Sequence, residues 1–304
     1  MSKVIFEFYG NAVHLSHILG AVFYIVLAPL VGGLIAGIDR RITARMQGRF
    51  GPPILQPFYD VSKLFAKEKI TVNSGQDFYV LCSLVFMIIS GVFFFSGSNL
   101  LMMIFTLTAA SIFLVLAGFS SNSPYAQVGA ERELLQIMSY EPMVLLVAVG
   151  FYMVTGSFNV GDIVMSDIVA FPFMIGMFIG YVFILTIKLR KSPFDLSMSH
   201  HAHQELVKGL TTEFSGRTLA LLEFIHWYEN VFLLGFIFLF FAKGSLWFTV
   251  LGVVVVIACY FIEIIIDNGY ARMKWQFTIK SAWIVTLIFG GGNLFVLYFL
   301  RFLA

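Results

Sequence analysis

Residues 78–119 read FYVLCSLVFMIISGVFFFSGSNLLMMIFTLTAASIFLVLAGF, two apolar runs joined by Ser96-Gly97-Ser98-Asn99 and free of any Asp, Glu, Lys or Arg. A helix needs roughly 20 such residues to cross the hydrocarbon core of a bilayer. Similar runs recur along a 304-residue chain that is 59% apolar and only 12% charged, with a mean hydropathy of +0.90. One soluble core cannot bury that much apolar surface, so lipid must solvate most of it. The expected fold is an all-α integral membrane protein in one membrane domain, 1–304.

Eight spans are expected, at 15–38, 78–96, 99–119, 142–157, 168–188, 222–242, 245–266 and 281–302. No cleavable signal is visible at the N-terminus, which lacks a charged region followed by a short apolar core and a small-residue cleavage site. With the N-terminus outside, the loops at 39–77, 120–141, 189–221 and 267–280, together with Lys188, hold 16 of the 19 Lys and Arg. Basic residues favour the cytoplasmic side, so both termini are expected outside a cytoplasmic membrane. The net charge of +2 adds little, and nothing in the chain favours nucleic acid.

Cys82 and Cys259 are the only cysteines, both inside expected spans and far from any C-x-x-C spacing. The chain alone therefore cannot ligate an iron-sulfur cluster or a thiolate-bound metal, and any redox centre belongs to a partner. Gly290, Gly291 and Gly292 lie within a span, with no preceding strand and no phosphate-binding lysine, and are read as helix-packing positions.

The polar residues concentrate on the cytoplasmic side. Residues 50–69 begin with Gly-Pro-Pro and then place Phe58, Val61 and Phe65 on one helical face against Asp60, Lys63 and Lys67. This spacing predicts a short amphipathic helix with Pro57 in its first turn, lying on the membrane surface or docked on a partner. The densest polar stretch is Lys191–Glu213, KSPFDLSMSHHAHQELVKGLTTE, with three histidines, three carboxylates and two lysines. Its loop is too long to be structureless in a compact protein. His200, His201 and His203 suit a partner contact or proton relay more than a metal site, for no fourth ligand is evident.

Glu223 and Glu229 flank His226 at helical i, i+3 steps in or beside the sixth span, and Glu263 and Asp267 are one turn apart in the seventh. Ionised carboxylates in hydrocarbon are costly, so such groups usually face a polar interior. Bland readings stand beside these. Glu141 precedes Pro142 and could cap the fourth span, Glu131, Arg132 and Glu133 could be a solvated face, and Glu263 and Asp267 could neutralise Arg272 or Lys274.

Three segments carry a family resemblance: Gly51–Glu68; Ser123-Pro124-Tyr125 through Gly129, Arg132 and Ser139-Tyr140-Glu141-Pro142; and Ser192-Pro193-Phe194-Asp195-Leu196 through Glu205-Leu206-Val207 and Gly209. In this order they resemble the cytoplasmic signatures of the complex I subunit that joins the membrane and peripheral arms. Within that family, SPFDLSMSHHAHQELVKGLTTEFSG is most similar to the B subunit of Ech-type energy-converting nickel-iron hydrogenases. Quinone-reducing members carry acidic residues after P-F-D-L and a shorter step to Glu-Leu, whereas here eight residues separate Leu196 from Glu205.

The resemblance implies a complex that passes electrons from reduced ferredoxin to a nickel-iron centre making hydrogen, and couples this to proton or sodium translocation. It implies no cofactor in this chain, with the [NiFe] centre and [4Fe-4S] clusters in partners. Those partners would be hydrogenase large and small subunits, a ferredoxin-like iron-sulfur subunit and an antiporter-like membrane subunit. It also implies that Glu141, Glu205 and Glu213 belong to an ion or coupling path, with Asp60 and Lys63 at polar positions of the amphipathic signature. Glu223 and Glu229 join that path from the reading of the sixth span. His200, His201, His203, Asp195 and Arg132 are the expected partner contacts. Two other classes fit the same residues, a quinone-reducing complex I-type subunit and a free-standing ion transporter.

Overall fold

A computed structural model describes residues 2–68, 73–198 and 207–303, excepting the side chains of residues 2–16, 74 and 303. The described residues are almost entirely helical and contain no strand. Among the described residues seven helices are long and apolar enough to cross a membrane, and an eighth apolar helix is shorter. Among the described residues a helix lies over each of the eight expected segments, but those over the first, fourth, sixth and last begin well before their expected starts and that over the fifth begins well after.

The first span is part of α1, Ser2–Met46. At 1.5 Å per residue its 45 residues extend about 68 Å, roughly twice the hydrocarbon thickness, so α1 must tilt or project from the membrane. The amphipathic helix is α2, Gln56–Ala66, with Pro57 in its first turn and Pro57 and Val61 buried. Proline suits that turn because its missing N–H would have no partner inside the helix anyway. A Cβ on Gly33 would strike the Phe58 ring, and one on Gly37 would strike the Ile54 carbonyl, so these α1 glycines are what let the α2 segment sit close.

Helices α3, Ser74–Phe95, and α4, Leu100–Phe119, are the two runs quoted first. Each starts on an asparagine whose side chain accepts from a first-turn amide, Asn73 from Gly75 at 3.1 Å and Asn99 from Leu101 at 2.9 Å. Such caps satisfy donors that helix geometry leaves unpaired. Serines inside these apolar helices turn to backbone carbonyls, as in Ser83 to Ala110 at 2.8 Å and Ser90 to Met103 at 3.0 Å, which ties α3 to α4.

The fourth span is the later part of α5, Pro124–Thr155, a single helix that continues through Pro142. Glu141 is thus mid-helix and does not cap a span start. The short α6, Val160–Met165, and a 3-10 turn at Phe171–Phe173 then lead into α7, Ile175–Lys188. The fifth span is expected from residue 168, but Pro172 cannot supply a helical N–H and the regular helix begins only at Ile175.

Helix α8, Gly216–Leu239, packs against α1, α2, α3 and α9, with Leu246–Gly269 forming α9. The last span is α10, Trp275–Val285, a π-helical segment at Thr286–Gly291, and α11, Gly292–Leu303. The π segment sits at the predicted packing glycines. Gly290 lies against Leu146 and Met143 of α5, while Asn293 donates to the Phe173 carbonyl at 3.1 Å and accepts from Met177 at 3.3 Å.

Because successive spans alternate in direction, α2, the N-terminus of α5, the C-terminus of α7 and the C-terminus of α9 share one end of the bundle. The segment after α7 folds back into that end. Gly209 accepts a left-handed φ of +62°, and Leu210 donates to the Ser197 carbonyl at 3.0 Å. A Cβ on Gly129 would collide with the backbone of Gly209 and Leu210, so α5 and this segment touch through bare backbone.

Candidate functional site

Four ionised side chains from α5, α7, α8 and the turn after α7 meet in the interior. Arg190 reaches Glu133 through Nη2 at 2.6 Å and Nε at 3.2 Å, and reaches Glu229 through Nη1 at 3.1 Å. Lys188 Nζ lies 3.0 Å from the other Glu229 oxygen. The same ammonium donates to the Tyr140 hydroxyl at 2.8 Å and to Ser111 Oγ at 3.0 Å. Ser197 donates to Glu133, closing the cluster against the segment after α7. All four charged residues are buried.

Two positive and two negative groups balance, which is what lets the cluster exist away from water. Taking such ions out of water costs several kcal/mol each, and this is recovered only where geometry is good and remaining donors are satisfied. Burial alone would lower the Arg190 pKa, yet Glu133 and Glu229 hold its guanidinium well above its ordinary value. Arg190 also has a φ of +53°, a left-handed conformation that costs a non-glycine residue on the order of 1–3 kcal/mol. That turn ends α7 and points the guanidinium back between α5 and α8.

The cluster borders a small, partly open space of about 20 Å³ lined by Leu107, Tyr140, Val144, Tyr181, Lys188 and Phe236 among others. The volume would admit one water. Its lining is almost wholly apolar.

A second polar group lies where α1 meets α9. Lys191 pairs with Asp39 at 2.8 Å, and Tyr260 donates to the same Asp39 oxygen at 3.1 Å. Asp267 accepts from the Ser192 backbone N–H at 2.8 Å. Arg272 donates to the Leu196 carbonyl at 3.0 Å and stands 3.7 Å from Asp195. Asp267 therefore anchors the turn after α7, and Arg272 serves the P-F-D-L segment.

Of the expected path residues that the structure describes, only Glu229 is in the central cluster. Glu141 is half-buried on α5 and accepts from Thr108 of α4. Glu213 and Glu223 are half-buried at the α2 end, and Glu223 lies close enough to Lys208 to oppose the lowering of that lysine's pKa by burial. Asp60 accepts from Arg40 at 2.9 Å and from Gln56 at 2.8 Å, while Lys63 is exposed. Asp195 is buried and Arg132 half-buried. Glu205, His200, His201 and His203 lie outside the described residues.

The reading of Glu131, Arg132 and Glu133 as a solvated face holds only in part. Glu131 is exposed, but Glu133 is 2% exposed and is the main partner of Arg190. By sequence, Lys188 counts only as the basic end of the fifth span and Arg190 only as a loop charge. The signal that could have found them is three basic residues, Lys188, Arg190 and Lys191, immediately after an apolar helix and before a Ser-Pro, with carboxylates of the neighbouring spans available. Among the described residues no group of three or more His, Cys, Asp or Glu is placed to hold a metal, and Cys82 and Cys259 stand on α3 and α9. The donor set does not fit a cluster or nickel-iron centre within this chain.

Known proteins share this architecture. A family model described as NADH dehydrogenase matches residues 19–298. The chain is 33% identical to Hydrogenase-4 component C of Escherichia coli K12 over 66% of each chain. It is 29% identical to the H subunit of NADH-quinone oxidoreductase from Bacillus cytotoxicus, over 96% of this chain and 93% of that one. Among solved structures it is similar to a chain of the membrane-bound sulfane sulfur reductase, an archaeal respiratory membrane complex. That match has a TM-score of 0.82 and 26% identity, over 92% of this chain and 99% of the other.

Proposed function

The chain belongs to the NADH dehydrogenase family, and from that premise we propose that it is the membrane subunit coupling a ferredoxin-fed, hydrogen-evolving soluble arm to ion translocation. The observation that carries this reading is the buried Lys188–Glu229–Arg190–Glu133 cluster, placed directly against the segment that follows P-F-D-L. Charges held in a poorly screened interior respond to charge changes at a docked redox arm far more strongly than surface charges do. Arg190 bridges two carboxylates, so movement of the 191–198 segment would redistribute it between Glu133 and Glu229. Lys188 would then be left to Tyr140 and Ser111, or be drawn to Glu229. Such a rearrangement is a two-state element through which electron transfer in the arm could drive protonation or ion movement at Glu141, Glu213 and Glu223.

Similarity to Hydrogenase-4 component C supports the hydrogenase reading, as does the replacement of acids by Ser, Met and His after Leu196. The extensive match to a component of NADH-quinone oxidoreductase supports a second reading, in which the same coupling piece serves quinone reduction. The test is to purify the complex through this chain, identify its metals and co-eluting chains, and assay both reactions. Nickel and iron with ferredoxin-dependent hydrogen formation support the first reading. Quinone reduction without nickel overturns it in favour of the second.

A further inference from the structure

The Lys188–Glu229–Arg190–Glu133 cluster leaves one deeply buried carboxylate unused. Glu263 of α9 is 0% exposed, and neither of its oxygens makes a hydrogen bond. The Thr186 hydroxyl of α7 stands beside it as the nearest candidate donor. The charged and titratable groups near it are Lys191 from the turn after α7, and Asp267, Cys259 and Tyr260 from α9 itself. Each of the main partners is already engaged, Lys191 with Asp39, Tyr260 with Asp39, and Asp267 with the Ser192 amide.

An ionised carboxylate without donors in such a place is uncompensated, and proteins avoid that arrangement by pairing or neutralising the group. Among the described residues no cation is paired with it, and Asp267 on the next turn adds a like charge. A proton on one of the carboxylate oxygens would remove that uncompensated charge. Among the described residues there is no set of further carboxylate, histidine or cysteine ligands to assemble a metal site around it.

We propose that Glu263 is a proton-binding site, separate from the Lys188–Glu229–Arg190–Glu133 cluster, which holds its proton while Lys191 is paired with Asp39 and releases it when Lys191 turns to Glu263. The step moves one proton from a carboxyl oxygen to water or a neighbouring acceptor, and the resulting carboxylate gains the Lys191 ammonium as its partner. Thr186 supplies a hydroxyl that can accept from the protonated form or donate to the ionised one. Only the motion of Lys191 rests on the coupling reading; the proton on Glu263 rests on the geometry alone.

Infrared difference spectroscopy of the assembled complex decides it, comparing wild type with Glu263→Gln and Glu263→Asp at neutral pH. The expected result is loss of one deuterium-sensitive carboxylic-acid carbonyl band in Glu263→Gln and its retention, shifted, in Glu263→Asp. Loss of a carboxylate band instead would show an ionised Glu263 and overturn the proposal. Replacement of the acid band by a carboxylate band on adding sodium, but not potassium, would overturn the proton assignment in favour of a sodium site. Since the readout needs no electron donor, it stands or falls independently of which redox reaction the complex performs. If Glu263→Gln fails to assemble, Glu263→Asp alone still decides through the shift of an acid band or of a carboxylate band.

Discussion

Lys188 and Glu229 are joined at 3.0 Å with both side chains almost wholly withdrawn from solvent, linking the end of α7 to the middle of α8. Removing one partner of a buried pair leaves the other uncompensated, which typically costs about 3–5 kcal/mol. Lys188→Met should therefore lower the thermal stability of the purified complex by that order. Lys188→Met combined with Glu229→Gln should recover part of the loss, because Arg190 retains Glu133. A loss in the double variant equal to the sum of the losses in Lys188→Met and Glu229→Gln alone would mean that the pair is not a unit.

Gly129 and Gly209 let the segment after α7 lie against α5 backbone to backbone. Gly129→Ala should loosen that segment, raising protease cleavage within 199–211 while the spans still insert. Gly209→Ala should do the same and add the strain of a left-handed backbone, about 1–2 kcal/mol. Unchanged cleavage in both variants would show that the close approach is unimportant.

The orientation rests on the distribution of Lys and Arg. Single cysteines at exposed Glu131 and Asp167, before and after the fourth span, should react with impermeant thiol reagents from opposite sides, Glu131→Cys from the cytoplasm and Asp167→Cys from outside. The reverse pattern would invert the topology.

Replacing His200, His201 and His203 together by Ala should weaken retention of the soluble arm on the membrane, or slow its turnover, and leave membrane insertion intact. Quantitative co-purification of the arm with the triple variant would remove these histidines from the interface.

Most of the spans were legible because lipid imposes a local rule, a long uncharged run, that each segment satisfies by itself. The amphipathic α2 was legible for a similar reason, since Pro57 and the spacing of Phe58, Val61 and Phe65 are local. Helix α5 was not. Glu131, Arg132, Glu133 and Pro142 resemble a loop and a helix start when only neighbours are considered. What permits Glu133 inside a helix bundle is Arg190, 57 residues later in the chain. Lys188 likewise is the last residue of an apolar helix by sequence and an interior ammonium by structure, because Tyr140, Ser111 and Glu229 come from three other helices. Pairings of that kind depend on which helices become neighbours, and hydropathy does not encode that.

The central claim is that the cluster couples the redox arm to ion movement. The most direct measurement is the number of ions translocated per hydrogen formed from reduced ferredoxin, in sealed vesicles carrying wild-type complex or Glu229→Gln. The account predicts that Glu229→Gln still makes hydrogen but moves fewer ions for each one formed, with hydrogen formation no longer slowed by an opposing ion gradient. Undiminished ions per hydrogen in an assembled Glu229→Gln complex would contradict it.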